Sequence, residues 1–356
     1  MTTLSAAQLQ QKVKSGEAVS NVSLRGADLR GLDLSGGILQ EVDFSAADLR
    51  ETNLHESVLT ECRLNDARLD NARLQQTVFN DCEMNNLSAV GTTLTECIFN
   101  QCALTNARFM RSQLDKTQMM KCALQGSQFS EAVLDRATFF ESPLGEARFD
   151  RQRCLLVTFY GIDLRRTDFS ATTFERVVFF ACDHRGKSYA QQHFTGCQFT
   201  DNLLDGVNFN GAQLTQCNFK GASLKGAQLR QVNASQALLM QADLSMAQCQ
   251  GSLFDQAILV GACLHQADFS QSRFFQSILQ RVDARGAKFV MSDLTYADLS
   301  YADVSGVDFR GATFSRSRFH RARQDGAHFS DRKGIIDYDE ELLSAEAWSV
   351  QRQSRI

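Results

Sequence analysis

Large apolar residues recur along this sequence every five positions, at numbers ending in 4 or 9, from Leu24 to Phe329. Most of them are Leu or Phe, and the residue two positions earlier is usually small, as in GADLR, AADLR, GASLK and YADLS. A period of five matches neither the 3.6 of an α-helix nor the 2 of a β-strand. The spacing instead predicts a coil in which each pentapeptide forms one side.

A second regularity has a period of 20 residues. At this interval similar side chains recur, as in the column Phe79, Phe99, Phe139, Phe159, Phe179, Phe199 and Phe219. Four pentapeptides per turn predict a four-sided coil with the large and the small residue of each pentapeptide inside. Stacked turns would pair their backbones like parallel strands, at roughly 4.8 Å per layer.

These pentapeptides resemble the A(D/N)Lxx motif of the pentapeptide-repeat family over most of the chain. The resemblance implies an all-β fold, a right-handed quadrilateral β-helix that forms a solenoid. The opening segment, SGEAVSNVSLRGADLRGLDLSG, is also similar to the start of pentapeptide modules in bacterial type VI secretion accessory proteins.

Three regions are predicted along the chain. Residues 1–20 hold a capping helix with Leu4, Leu9 and Val13 inward, residues 21–330 form the solenoid, and residues 331–356 form a C-terminal helix. The five-residue register persists through 183–193, but Lys187 and Gln192 fall on the small inward position. We therefore expect the chain to leave the coil there as a surface loop, which could cover or complete a binding surface.

The composition argues against several classes of function. A net charge of -4 and the lack of long apolar runs argue against a general nucleic-acid or membrane binder, and the opening residues do not resemble a secretory signal. These features predict a cytoplasmic protein, and the resemblance of the opening segment implies a bacterial one. Nearly all of the 11 cysteines fall on inward positions, and only Cys263 is expected to face water. The sequence shows no catalytic triad, phosphate loop or zinc cluster, so we expect no enzymatic activity and no cofactor or metal.

Outward positions are mostly polar, with one exception. Met120, Phe140, Tyr160 and Phe180 would stack on four successive turns, and exposed apolar ladders often mark partner sites. The predicted site also includes nearby basic residues, which favour an acidic partner: Arg151, Arg153, Arg185 and Lys187. In the C-terminal segment, a second set could cap the coil or join two copies end to end, so a monomer and a homodimer both stay open: Ile335, Ile336, Tyr338, Leu342 and Trp348.

These features together predict a non-catalytic scaffold or adaptor that binds another protein, either a type VI secretion component or an effector. The alternative, implied by the family resemblance, is a DNA mimic that inhibits or protects a topoisomerase such as gyrase. A duplex carries one negative charge per about 1.7 Å. A net charge of -4 over 356 residues falls far short of that density, so the adaptor is the preferred hypothesis.

Overall fold

The computed structural model describes residues 2–353, which fall into two compact units. Unit 1 ends at Asp183 and unit 2 begins at His184. Each unit is a parallel β-solenoid, and a short helix lies at each terminus of the chain, as the sequence predicted. Neither helix in the described part of the chain is long and apolar enough to cross a membrane.

Unit 1 contains one helix and fourteen short strands. They are β1 (Thr2–Thr3), α1 (Ala6–Lys14), β2 (Val19–Ser20), β3 (Val22–Ser23), β4 (Ile38–Gln40), β5 (Val58–Thr60), β6 (Val78–Asn80), β7 (Ile98–Asn100), β8 (Gln118–Met120), β9 (Leu134–Asp135), β10 (Thr138–Phe140), β11 (Arg153–Leu155), β12 (Thr158–Tyr160), β13 (Thr173–Glu175) and β14 (Val178–Phe180).

Each turn of unit 1 pairs with the turn 20 residues later. One side of the coil is a parallel nine-stranded sheet, ordered β14-β12-β10-β8-β7-β6-β5-β4-β2, in which Val58 pairs with Val78. We call its solvent side the sheet face. The other sides are held by single-residue bridges such as Asp43 to Arg63, and by the parallel strands β9, β11 and β13. Backbone groups within a layer therefore find partners in adjacent layers.

The core of each unit consists of the inward residues of these layers. Phe79 and Phe99 are almost fully buried, and their rings stack with centroids 4.8 Å apart. At the corners of the coil, residues with numbers ending in 1 or 6 adopt the left-handed conformation, for example Glu56 with φ 57° and Glu61 with φ 53°. Three outward residues per pentapeptide are left to form the surface.

Helix α1 covers the first turn of unit 1, but Leu4, which was predicted to point inward, precedes the helix and is only half-buried. Ser5 caps its N-terminus in a capping box with Gln8, and Leu9 and Val13 are buried. The Gln10 side chain accepts a hydrogen bond from the Asp33 backbone N–H at 3.1 Å. Lys14 Nζ lies 2.6 Å from Asp33 Oδ2 and lowers the pKa of that carboxyl to about 2. The open edge of the first layer is thus occupied by side chains of the helix.

Unit 2 has the same 20-residue pairing, with fewer regular strands. Its elements are β15 (His193–Thr195), β16 (Asp308–Phe309), β17 (Ser317–Arg318), β18 (His328–Phe329), β19 (Ile335–Ile336) and α2 (Glu340–Gln353). Most layers are joined by bridges, such as Leu238 to Ile258. The prediction that Ile335 and Ile336 belong to a helix was wrong, because these residues form β19, which pairs with β17.

The predicted excursion at 183–193 was also wrong, because these residues follow the coil. In unit 1 Asp183 bridges to Asp163, and in unit 2 the Tyr189 N–H donates to the Asn208 carbonyl at 2.7 Å. Polar side chains at inward positions do not displace the chain from the coil. His184 Nδ1 is 2.8 Å from Tyr189 Oη, and both residues are fully buried. Lys187 is only half-buried, and its Nζ lies 5.5 Å from the centroid of the Tyr189 ring.

Candidate protein-binding surface

Four apolar side chains form one column on the sheet face. Met120, Phe140, Tyr160 and Phe180 occupy the same register position on β8, β10, β12 and β14. The rings of Phe140 and Tyr160 stack with centroids 4.6 Å apart, and those of Tyr160 and Phe180 are 5.5 Å apart. Met120 and Phe180 are 36% and 37% exposed. We call this column the aromatic ladder; its geometry matches the stacking predicted from the sequence.

A second apolar column lies on the same sheet face but on earlier strands. Ile38, Val58, Val78 and Ile98 pair in register on β4 to β7, at the position two residues before the one that the ladder occupies on later strands. Ile38 is 55% exposed. We call the four residues Ile38, Val58, Val78 and Ile98 the aliphatic column. Sequence reasoning missed it, although reading the residues numbered 38, 58, 78 and 98 together reveals it.

Two of the predicted basic residues, Arg151 and Arg153, do not join the ladder. Arg151 and Arg153 lie on or beside β11, which belongs to a different side of the coil. Arg151 Nε is 3.0 Å from Asp150 Oδ2, and Arg153 pairs with Glu175. Arg185 and Lys187 lie in unit 2. A different arginine, Arg176, lies at the corner of the sheet face that leads into β14.

A cavity of about 410 Å³ lies around one corner from the ladder. Its walls include Pro143, Leu144 and Ile162, with Glu141 and Gly161 at the rim. Proline has no N–H, so bridging on this side stops after the bridge from Ala103 to Ala123 and resumes between Asp163 and Asp183. Because Glu141 directly follows Phe140, and Gly161 directly follows Tyr160, the cavity is a recess beside the ladder.

The predicted C-terminal set is largely exposed. Tyr338 is 77% exposed and Trp348 is 58% exposed, whereas Ile335 and Leu342 are half-buried. Glu346 joins α2 to the coil of unit 2: it accepts a hydrogen bond from Tyr301 and pairs with Arg321 at 2.5 Å, and these contacts lower the pKa of Glu346. The Glu346 carboxylate therefore attaches the helix to the coil of unit 2.

The thiols of the two units are core groups, as predicted. Ten cysteines are buried and Cys263 is half-buried. Burial raises the pKa of Cys97 and that of Cys182 to about 12, which keeps these thiols protonated at neutral pH. Over residues 2–353, the structure contains no group of three or more His, Cys, Asp or Glu residues that could hold a metal ion.

Comparison with known proteins supports the repeat assignment. Eight copies of the model for pentapeptide repeats match residues 38–76, 90–126, 190–221, 222–259, 254–289 and 292–331. The stretch from 127 to 189, which holds three residues of the ladder, lies outside these matches. No curated protein matched the sequence.

Solved structures of pentapeptide-repeat proteins also match. HetL, involved in heterocyst differentiation regulation in the cyanobacterium Nostoc sp. strain PCC 7120, is 20% identical over 80% of this chain and 96% of its own, with a TM-score of 0.23. A trypsin-treated variant of QnrB1, a plasmid-mediated fluoroquinolone resistance protein, is 16% identical over 83% of this chain and 95% of its own, with a TM-score of 0.26. Because the repeat matches span more than half of its 356 residues, the chain belongs to the pentapeptide-repeat family.

Proposed function

We propose that the chain is a non-catalytic scaffold that binds another protein through the sheet face of unit 1. The observation that carries this proposal is the aromatic ladder. Three stacked rings and a methionine occupy an outward column whose earlier positions hold Gln40, Thr60, Asn80 and Asn100. Apolar side chains placed in a line on an otherwise polar column lose contact with water when a partner covers them, which favours association.

The cavity beside Pro143 adds depth to this surface. Gly161 and Ala181 are the corner residues that follow Tyr160 and Phe180. Little side-chain bulk therefore separates these two rings of the ladder from the recess. A partner side chain that passes this corner can enter the recess and contact the exposed Pro143. Filled pockets next to aromatic contacts are typical of interface hot spots.

The finer proposal is that the partner belongs to a bacterial type VI secretion system, as a component or an effector, and that the protein works in the cytoplasm. Its support is the similarity of the opening segment to modules of that system. The competing proposal is a topoisomerase partner such as gyrase.

Affinity capture with the tagged full chain tests the binding site. The triple variant Phe140→Asp, Tyr160→Asp, Phe180→Asp places three charges on the ladder and should lose the partner. The matched control also places three charges at outward positions of successive layers, but on another side of the coil: Thr93→Asp, Gln113→Asp, Val133→Asp. The control should keep the partner. Equal capture by wild type and the ladder variant would refute the site.

The identity of the captured protein separates the two partner classes. Secretion components or effectors captured by wild type and by the control, but not by the ladder variant, would support the adaptor. Topoisomerase subunits captured by all three proteins, together with inhibition or protection of gyrase supercoiling by the purified chain, would favour the competing proposal.

A further inference from the structure

The sheet face of unit 1 has two halves of opposite charge. Each strand on this face is flanked by two corner residues, so the six residues from corner to corner define its local charge. On β4 to β7, residues 36–41, 56–61, 76–81 and 96–101 contain five acidic side chains and no basic ones, a net charge of -5: Glu41, Glu56, Glu61, Asp81 and Glu96. We call these four layers the acidic half.

The next four layers reverse the sign. On β8, β10, β12 and β14, residues 116–121, 136–141, 156–161 and 176–181 contain four basic side chains, Lys116, Lys121, Arg136 and Arg176. The one acidic side chain there is Glu141, so four positive charges minus one give a net charge of +3. We call these layers the basic half.

The apolar columns change position at the same boundary. On each strand of the acidic half, the residue of the aliphatic column directly precedes the inward residue. The residue directly after the inward residue is polar, as at Thr60 and Asn80. In the basic half the ladder stands after the inward residue, while Thr138 and Thr158 occupy the position before it. Each half therefore has one apolar ridge beside one row of mainly polar side chains, in which Val178 on β14 is apolar.

From these two patterns we propose that the sheet face binds the sheet face of a second copy of the chain, with the coil axis of unit 1 in one copy antiparallel to that of unit 1 in the other. A two-fold axis along the strand direction then sets the acidic half of each copy against the basic half of the other. The same operation places each apolar ridge over the polar row of the partner and beside its ridge. The facing halves thus carry opposite net charges under one symmetry operation, and the one pair of like charges that it sets face to face is Asp81 and Glu141.

The area of the sheet face is sufficient for such a dimer. Eight layers at about 4.8 Å and a width of about 15 Å give roughly 600 Å² per copy. The total of about 1,200 Å² is at the lower limit of standard stable interfaces. We therefore expect a dimer that dissociates on dilution and weakens with salt, because its charged rim is solvent-accessible.

This inference rests on the proposed function, since it takes the sheet face as a protein-binding surface and names one occupant of it. A second copy and another partner would compete for the aromatic ladder. Dimerisation would then shield the ladder until the partner is present in excess.

Charge reversal tests the pairing in the full-length protein. The acidic-half variant, Glu56→Lys, Glu61→Lys, Asp81→Lys, places like charges in contact in its own dimer, and should weaken self-association by about 10- to 100-fold in Kd. The basic-half variant should fail in the same way: Lys121→Glu, Arg136→Glu, Arg176→Glu. An equimolar mixture of the two variants should form a heterodimer, because the reversed half of one variant then faces the reversed half of the other, and their net charges are again opposite.

Analytical ultracentrifugation over a dilution series, with thermal unfolding as a check on folding, provides the measurement. A control with three reversals on other sides of unit 1, Glu51→Lys, Asp66→Lys, Glu83→Lys, should dimerise like the wild type. A monomeric wild type at every concentration would overturn the proposal. So would a mixture that stays monomeric, or an acidic-half variant that still dimerises.

The same variants separate this inference from the proposed function. The acidic-half variant keeps the aromatic ladder, so it should still capture the other partner. Ladder-dependent capture by a monomeric wild type would overturn the dimer and leave the scaffold proposal standing. A charge-dependent dimer without ladder-dependent capture would do the reverse.

Discussion

Gln152 offers a direct test of how the coil of unit 1 tolerates a polar residue. Its side chain occupies the small inward position and is only 8% exposed. Neither amide atom has a hydrogen-bond partner among the described residues. The adjacent inward residue, Cys154, stands in a column between Leu134 and Phe174. Because Cys is smaller than either neighbour, we infer that it leaves space for the longer Gln152 side chain.

Replacing Gln152 by Met should stabilise unit 1. Met has a similar length and no polar atoms that need hydrogen bonds. A buried polar group without a partner costs about 1–3 kcal/mol, and replacement by an apolar group of the same shape removes that cost. We therefore expect Gln152→Met to raise the free energy of unfolding by about 1–3 kcal/mol.

Urea denaturation followed by circular dichroism measures this change as a higher midpoint at an unchanged slope. Hydrogen exchange on peptides of unit 1 would assign the gain to this unit. Gln113→Met is the matched control, because Gln113 is exposed on the same side of the coil, and it should change stability by less than about 0.5 kcal/mol. An unchanged or lower midpoint for Gln152→Met would show that the amide is satisfied in solution, and would refute the reasoning.

Three further outcomes are expected. Phe159→Ala should destabilise unit 1 by about 3–5 kcal/mol, because the Phe159 ring stacks at 5.2 Å on both Phe139 and Phe179; a urea midpoint like that of wild type would contradict this. Asp33→Asn should cost less than about 1 kcal/mol at neutral pH. Since the folded pKa of Asp33 is about 2, this contribution is present above pH about 4 and lost as the pH falls through about 2. Denaturation at both pH values checks it, and a difference that persists in acid would refute the ion pair. In a thiol-reagent assay, Cys263 should react first and the buried thiols only on unfolding; a fast phase that survives Cys263→Ser would contradict the burial pattern.

The 20-residue reading of the sequence was sufficient for the architecture of the coil. It predicted which rings would stack, and Phe79 with Phe99 and Phe140 with Tyr160 do so. This success has a physical cause. A residue in a parallel in-register coil always lies on the residue one turn earlier, so contacts follow directly from counting.

Sequence reasoning failed where it judged single positions by polarity alone. Lys187 and Gln192 suggested a loop, yet both side chains are half-buried in a regular coil. The buried pair of His184 and Tyr189 also shows that inward polar groups can bond to each other, which a pattern of residue types does not reveal. The placement of Arg151 and Arg153 on another side of the coil could have been found by assigning every outward residue to its side.

The constant count of five residues per side has a consequence for insertions and deletions. Removing one complete set of 20 residues would shorten a unit but leave every remaining column on its original side. Inserting a single pentapeptide before Gln118 would instead turn all later columns by a quarter of the coil. The aromatic ladder would then leave the side that carries the aliphatic column, and the two charged halves would no longer share one surface. Length can therefore change in this unit only in whole turns if the surface pattern is to survive.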